Sequence, residues 1–186
     1  SVLTCLFLLY LRLSRYRIGF VDMRIKRYAT YAALGIVVLV GQIALGGWTS
    51  ANYAALACTE FPVCEGDWLN RIDMAGAYSV PEAANYEYGA HDYAERMTMH
   101  IVHRLGAVIT FLYLGWLAIS LYRRSASQHL RNASVVLALV LLAQVGLGIS
   151  NVVFSLPLQV AVLHNAVAAC LLLVLVLITY TLYRKV

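Results

Sequence analysis

Three histidines and an arginine hold most of the chemistry this sequence offers: His100, His103, Arg104 and His164, each inside a long apolar run. Polar side chains in such runs are costly, and they normally turn toward the interior of a helix bundle. His103 lies seven residues past Arg96, and His164 lies seven past Pro157. If both runs are helices entered from the same side, both imidazoles sit about 10 Å below the membrane edge. Two imidazoles at equal depth can clamp one flat ligand between them, as in bis-imidazole ligation of haem iron in a bundle core. Zinc would want further ligands. His100 shares a helical face with His103 and can supply one, but no carboxylate lies at that depth. Two histidines that only hydrogen-bond between helices fit the spacing equally. Arg104 could reach a haem propionate near the outer surface, or it could snorkel outward or pair with a helix carbonyl. His91 and His129 fall in connecting segments, where they are expected to be solvated.

The cysteines divide in the same way. Cys58 and Cys64 lie in ACTEFPVC, and Cys5 and Cys170 lie in apolar runs. A Pro62-containing segment between the first two can close a small ring, which would stabilise by roughly 2 kcal/mol on the chain-entropy model. A redox-active pair is usually spaced by two residues, and a zinc site lacks further ligands here. These three readings stay open on spacing alone. Cys5 and Cys170 are expected to be inert packing residues.

The elements that must position these groups follow from composition. The chain has 186 residues, 62% of them hydrophobic and only 12% charged. Soluble domains run near a quarter charged, which excludes an ordinary cytosolic globule. The expected fold is an all-α integral membrane protein, a four-helix transmembrane bundle with spans at about 28–48, 96–122, 132–154 and 158–183. Each run is apolar all round and none alternates as a barrel strand would. Residues 1–27 read as the end of a truncated helix followed by a basic loop. Ser1 to Leu11 is too short to cross a bilayer and has no basic n-region, so the chain is expected to be part of a longer protein. Residues 28–186 form the four-span bundle, with a long outer loop at about 49–95. A loop of that length is usually functional. Asp92 and Glu95 have capping-box spacing, which starts the second span slightly above the membrane.

The net charge of +5 does not point to nucleic acid, because of where the charges fall. Arg12, Arg15, Arg17, Arg24, Lys26 and Arg27 precede the first full span. Arg123, Arg124 and Arg131 follow the second, and Arg184 and Lys185 close the chain. Eight of the nine acids lie in the long outer loop. The positive-inside rule places the basic loops and the C-terminus in the cytoplasm, and the outer loop in the periplasm or outside the cell.

The spans also repeat. Gln42-Ile-Ala-Leu-Gly46-Gly47 ends the first, and Gln144-Val-Gly-Leu-Gly148 ends the third. Each is followed by an outer connection and a histidine-bearing span, so the chain reads as two helix hairpins in tandem. The glycines allow close helix approach or leave a slot beside a planar cofactor. The glutamines are expected to hydrogen-bond across helices.

Leu45–Cys64 (LGGWTSANYAALACTEFPVC), Met99–Ala107 (MHIVHRLGA) and Gln144–Ala169 together resemble the C-terminal half of haem A synthase, from about Arg27 onward. The resemblance implies an oxidoreductase of eight spans in two pseudo-symmetric bundles. The C-terminal bundle would hold a low-spin haem b between His103 and His164, for electron transfer. The N-terminal bundle would bind haem O, whose C8 methyl is oxidised to the formyl of haem A for terminal oxidases. It also implies a disulfide between Cys58 and Cys64, with haem O synthase and oxidase assembly proteins as partners, in the cell inner membrane. The substrate histidines and the proposed catalytic carboxylate of the family belong to the half not represented here. His100 stands in the corresponding carboxylate slot of this half and cannot take over that role. Two other classes compete: a b-type membrane cytochrome passing electrons from quinol without modifying haem, and a non-enzymatic four-span protein with structural histidines. Against a transporter stands the lack of Pro-interrupted spans. A homo-oligomer stays open.

Overall fold

The computed structural model describes residues 2–14, 25–60, 62–82, 85–86 and 89–183. Arg15, Arg17, Arg24, Arg184 and Lys185 of the basic clusters, and Glu87 and Tyr88 of the outer loop, lie outside the described residues. Among the described residues every regular element is helical. In order they are α1 (Val2–Leu13), α2 (Tyr28–Ala51), the short α3 (Met74–Ala77), α4 (Tyr93–Arg124), α5 (Gln128–Val153) and α6 (Leu158–Tyr183), with 3-10 turns at Ala54–Leu56 and Leu69–Arg71. Four of these, α2, α4, α5 and α6, are long and apolar enough to cross a membrane. They match the four expected spans to within a few residues at each end.

The boundaries have local causes. Asp92 and Glu95 form the expected capping box: Asp92 Oδ1 accepts from the Glu95 amide at 2.9 Å, and Glu95 Oε2 accepts from the Asp92 amide at 3.0 Å. Two of the four orphan donors at the start of α4 are satisfied in this way. At 32 residues α4 is about 48 Å long, more than a hydrocarbon core of about 30 Å needs. The α5–α6 connection is a tight turn with Ser155 and Leu156 at positive φ, closed by the Leu156 amide donating to the Asn151 carbonyl at 2.8 Å. Pro157 then starts α6. His129, expected in a loop, lies in the exposed first turn of α5.

The chain divides into two compact units. The first comprises Ser1–Val40, Thr110–Gln144 and Asn165–Val186. Its core is a leucine-rich layer drawn from all four long helices, including Leu39, Leu114, Leu137, Leu141, Leu175 and Ile178, each at most 3% exposed. A Cβ on Gly35 would meet Leu114 Cδ2 at 3.1 Å, so that glycine sets the closeness of α2 and α4 there. Cys5 and Cys170 do not pack in this core as expected; both are exposed on helix surfaces. An apolar helix surrounded by lipid needs no inward face for a cysteine, since lipid accepts the thiol as readily as protein does.

The second unit comprises Gly41–Ile109 and Val145–His164 and contains the long loop between α2 and α4. The loop is folded onto the helices by specific bonds. Trp48 Nε1 donates to the Ala77 carbonyl at 2.9 Å, and its ring stacks on Tyr78. Asp73 caps α3 through Gly76, and its own amide donates to Thr98 Oγ1 of α4 at 3.0 Å. Two small apolar clusters, Ala54 with Ala77 and Met99, and the Cys58–Cys64 pair with Met97, close the rest.

Candidate functional site

The site is built in the second unit where α2 meets α4, and where α5 meets α6. On α2, Gln42 and Gly46 are one turn apart on one face. On α4, His103 and Gly106 share a face three residues apart. The two pairs interlock. A Cβ on Gly46 would lie 2.8 Å from Cε1 of His103, closer than real Cβ atoms come, so the imidazole occupies the notch a missing side chain leaves. A Cβ on Gly106 would in turn collide with Oε1 of Gln42. Gln42 Nε2 then bonds to His103 twice, to Nδ1 at 3.0 Å and to the backbone carbonyl at 3.0 Å. Each glycine makes room for the other helix's polar side chain.

The second hairpin repeats the first half of this arrangement. A Cβ on Gly148 would meet Cε1 of His164 at 3.3 Å, so His164 also seats over a glycine four residues past a glutamine. The repeat read from the sequence thus acquires a geometric meaning, although not every glycine shares it. Gly47 and Gly146 have nothing within 4 Å of where a Cβ would be.

Arg104 turns away from its neighbour's site. Its Nη2 donates to the Cys58 carbonyl at 2.8 Å, and Nη1 donates to the carbonyls of Glu60 at 2.9 Å, Pro62 at 3.2 Å and Val63 at 3.4 Å. The guanidinium reaches outward to the loop and not to a helix carbonyl: it is surrounded by four loop carbonyls. They can converge because Cys58 and Cys64 form a disulfide with Cα atoms 4.9 Å apart, which curls the segment between them into a ring. Glu65 organises the outer side of that ring. Its Oε1 accepts from the amides of Thr59 at 2.8 Å and Glu60 at 3.0 Å, and from the Thr59 hydroxyl. The Thr59 hydroxyl bond, the largest influence, holds the Glu65 carboxyl below its ordinary pKa.

His100 is buried, 5% exposed, and its Nδ1 has no hydrogen-bond partner among the described residues. Among those residues no group of three His, Cys, Asp or Glu side chains could hold a metal ion, so His100 does not complete a zinc set with His103 and His164. His91 is not solvated as expected. Its side chain is 2% exposed, and Nδ1 meets Glu95 Oε2 at 2.8 Å, so it extends the cap of α4. Sequence reasoning had paired neither Gln42 with His103 nor Gly106 with Gln42. The available signal was the matched Gln-x3-Gly and His-x2-Gly spacing on facing helices.

The family model described as COX15-CtaA, cytochrome oxidase assembly protein, matches residues 1–176. The chain belongs to this haem A synthase family. A heme A synthase of Shewanella oneidensis is 49% identical over 187 residues, covering all of this chain and 56% of that protein. Heme A synthases of Mesorhizobium japonicum and Chelativorans sp. are 30% and 29% identical, over 77% and 79% of this chain and 38% and 37% of their own lengths. The chain therefore spans about half, or less, of the relatives it matches. No solved structure matches it.

The donor set suits a haem better than a bare metal ion. A porphyrin brings four nitrogens of its own and asks the protein for two axial ligands, which matches two glycine-seated imidazoles without a third partner.

Proposed function

We propose that this chain is the cofactor-holding part of a haem A synthase, with His103 and His164 as the axial ligands of a low-spin haem b. The observation that carries this reading is the repeated seat: each histidine lies over a glycine four residues past a glutamine, in two tandem hairpins of a haem A synthase family member. The group would supply one-electron transfer. Held by His103 and His164, it would have no open coordination position for dioxygen. The residues do the rest. Gly46 and Gly148 fix the rings, the apolar helices exclude water, and Arg104 places a positive charge at the outer end, where propionates would lie. The ring carbonyls orient that guanidinium without neutralising it. The reaction proposed for the whole protein is the oxidation of the C8 methyl of haem O to the formyl of haem A, for which this bundle would carry electrons. Haem O, haem O synthase and oxidase assembly proteins are the proposed partners, and the inner membrane is the proposed location, with the disulfide loop outside and the C-terminus in the cytoplasm.

The test is a pyridine haemochrome assay with reduced-minus-oxidised spectra on the purified chain in detergent. One haem b per chain, lost in both His103→Ala and His164→Ala, supports the reading; full haem content with both histidines replaced overturns it. If the folded chain alone takes up no haem, the assay is repeated with the remainder of the protein co-expressed, and absence there also overturns it. Conversion of haem O by the completed protein separates the synthase from a quinol-linked cytochrome.

A further inference from the structure

Gln42 makes two bonds to one residue, and their polarity is informative. The His103 backbone oxygen can only accept, so the atom of Gln42 at 3.0 Å from it is the amide nitrogen. The same nitrogen lies 3.0 Å from Nδ1, which must therefore accept its second hydrogen. A neutral imidazole that accepts at Nδ1 carries its proton on Nε2. Metal ligation needs the reverse. The metal-facing nitrogen must offer a lone pair, and the other must carry the proton and donate it to an acceptor. Since Gln42 encloses Nδ1, Nε2 is the nitrogen left for a metal, and it carries the proton while Nδ1 accepts from Gln42. The acceptor that the ligating tautomer requires is already present. Gln42 Oε1 is buried and has no hydrogen-bond partner among the described residues, and it lies over Gly106, where no side chain blocks the amide.

We propose that Gln42 is a switching amide for His103: it donates to Nδ1 while the ring is unligated, and turns over to accept from Nδ1–H when Nε2 binds iron. The inference rests on His103 being a haem ligand. The exchange balances within the ring. The proton moves from Nε2 to Nδ1, the Nε2 lone pair goes to the metal, and nothing is released to solvent. Because Oε1 cannot lie 3.0 Å from the His103 carbonyl oxygen as Nε2 now does, the amide swings off that carbonyl as it turns, and the carbonyl keeps its own helical partner in α4. In return Oε1 gains the partner it lacks. An acceptor on Nδ1–H makes the ligand more basic, which favours the ferric state. Gln42 is thus a positioning residue that acts through His103.

The experiment uses the full chain in detergent, labelled with nitrogen-15 at histidine, first metal-free and then loaded with haemin. In the metal-free protein the His103 signal, assigned by its loss in His103→Ala, is expected to report Nε2–H in the wild type and Nδ1–H in Gln42→Glu, whose carboxylate can only accept. In the loaded protein the haem midpoint potential is expected to shift positive in Gln42→Leu and negative in Gln42→Glu, with the low-spin electron paramagnetic resonance spectrum changing alongside. A wild-type metal-free ring protonated at Nδ1 overturns the proposal, and that measurement needs no Gln42 variant to fold. Unchanged potentials and spectra in haem-loaded Gln42 variants overturn it too. Haem retained in His103→Ala would instead sink the assignment of His103 as ligand, so the two failures are distinguishable.

Discussion

At the residue scale, four glycines in similar helical sequence have opposite roles, and substitution separates them. Alanine at Gly46 would press on the His103 ring, and alanine at Gly106 on the Gln42 amide. Overpacking of this kind costs about 1–3 kcal/mol, and both variants are expected to lose haem occupancy with some loss of thermal stability. At Gly47 and Gly146 a methyl group meets nothing. There the better helix propensity of alanine is expected to stabilise by about 0.5–1 kcal/mol. Thermal unfolding and haem content of the four variants, measured side by side, check both signs. Equal behaviour of Gly46→Ala and Gly47→Ala would contradict the notch assigned to His103. The residues themselves were legible in sequence as a Gln-and-Gly repeat ahead of two histidines. Which of two adjacent glycines faces the histidine was not, because that depends on the rotation of α2 about its axis, and an all-round apolar helix carries no amphipathic stripe to fix it.

At the scale of elements, the disulfide ring and Arg104 form one unit. Charge-assisted hydrogen bonds contribute about 1.5–3 kcal/mol when buried, less for a guanidinium that is partly exposed, so Arg104→Gln is expected to destabilise by roughly 1–3 kcal/mol. Amide hydrogen exchange in the ring should rise in that variant, while Arg104→Lys, with fewer donors and no planar fork, restores only part of the protection. Cys58→Ser should loosen the same amides yet leave haem bound, because the histidine seats are made by α2 and α5 rather than by the ring. Acid acts on the opposite side of the ring. Glu65 titrates below its ordinary value of 4.5 in the folded protein, chiefly through the Thr59 hydroxyl. Its contribution is therefore complete above the ordinary value and is lost as pH falls through the lower folded one. Ring amide exchange should accelerate in that acid range, and Glu65→Gln should abolish the pH dependence. A wild-type ring whose exchange follows only intrinsic chemistry on acidification would contradict this.

At the scale of the whole molecule, the testable statement is sidedness. The basic segments before α2 and after α4 are proposed to face the cytoplasm, and the acidic outer loop the opposite side. With Cys5 and Cys170 replaced by serine, a reporter cysteine at Val80, which is 77% exposed, should react with a membrane-impermeant maleimide added to intact cells. One at Ala126, in the exposed α4–α5 turn, should react only after lysis. The reverse pattern would invert the topology.

Composition and run length were enough, from sequence alone, to specify four helices of membrane-spanning length and a long segment between the first two, because a bilayer demands about twenty apolar residues per crossing whatever the neighbours do. The capping box of Asp92 and Glu95 was equally local and equally legible. Tertiary structure alone decided that Arg104 grips loop carbonyls forty residues away in sequence, that His91 is buried against Glu95, and that Gln42 meets His103. Those contacts depend on how helices rotate and how a loop returns, which are settled by packing between distant segments. Apolar spans with no preferred face leave that information out of the local pattern.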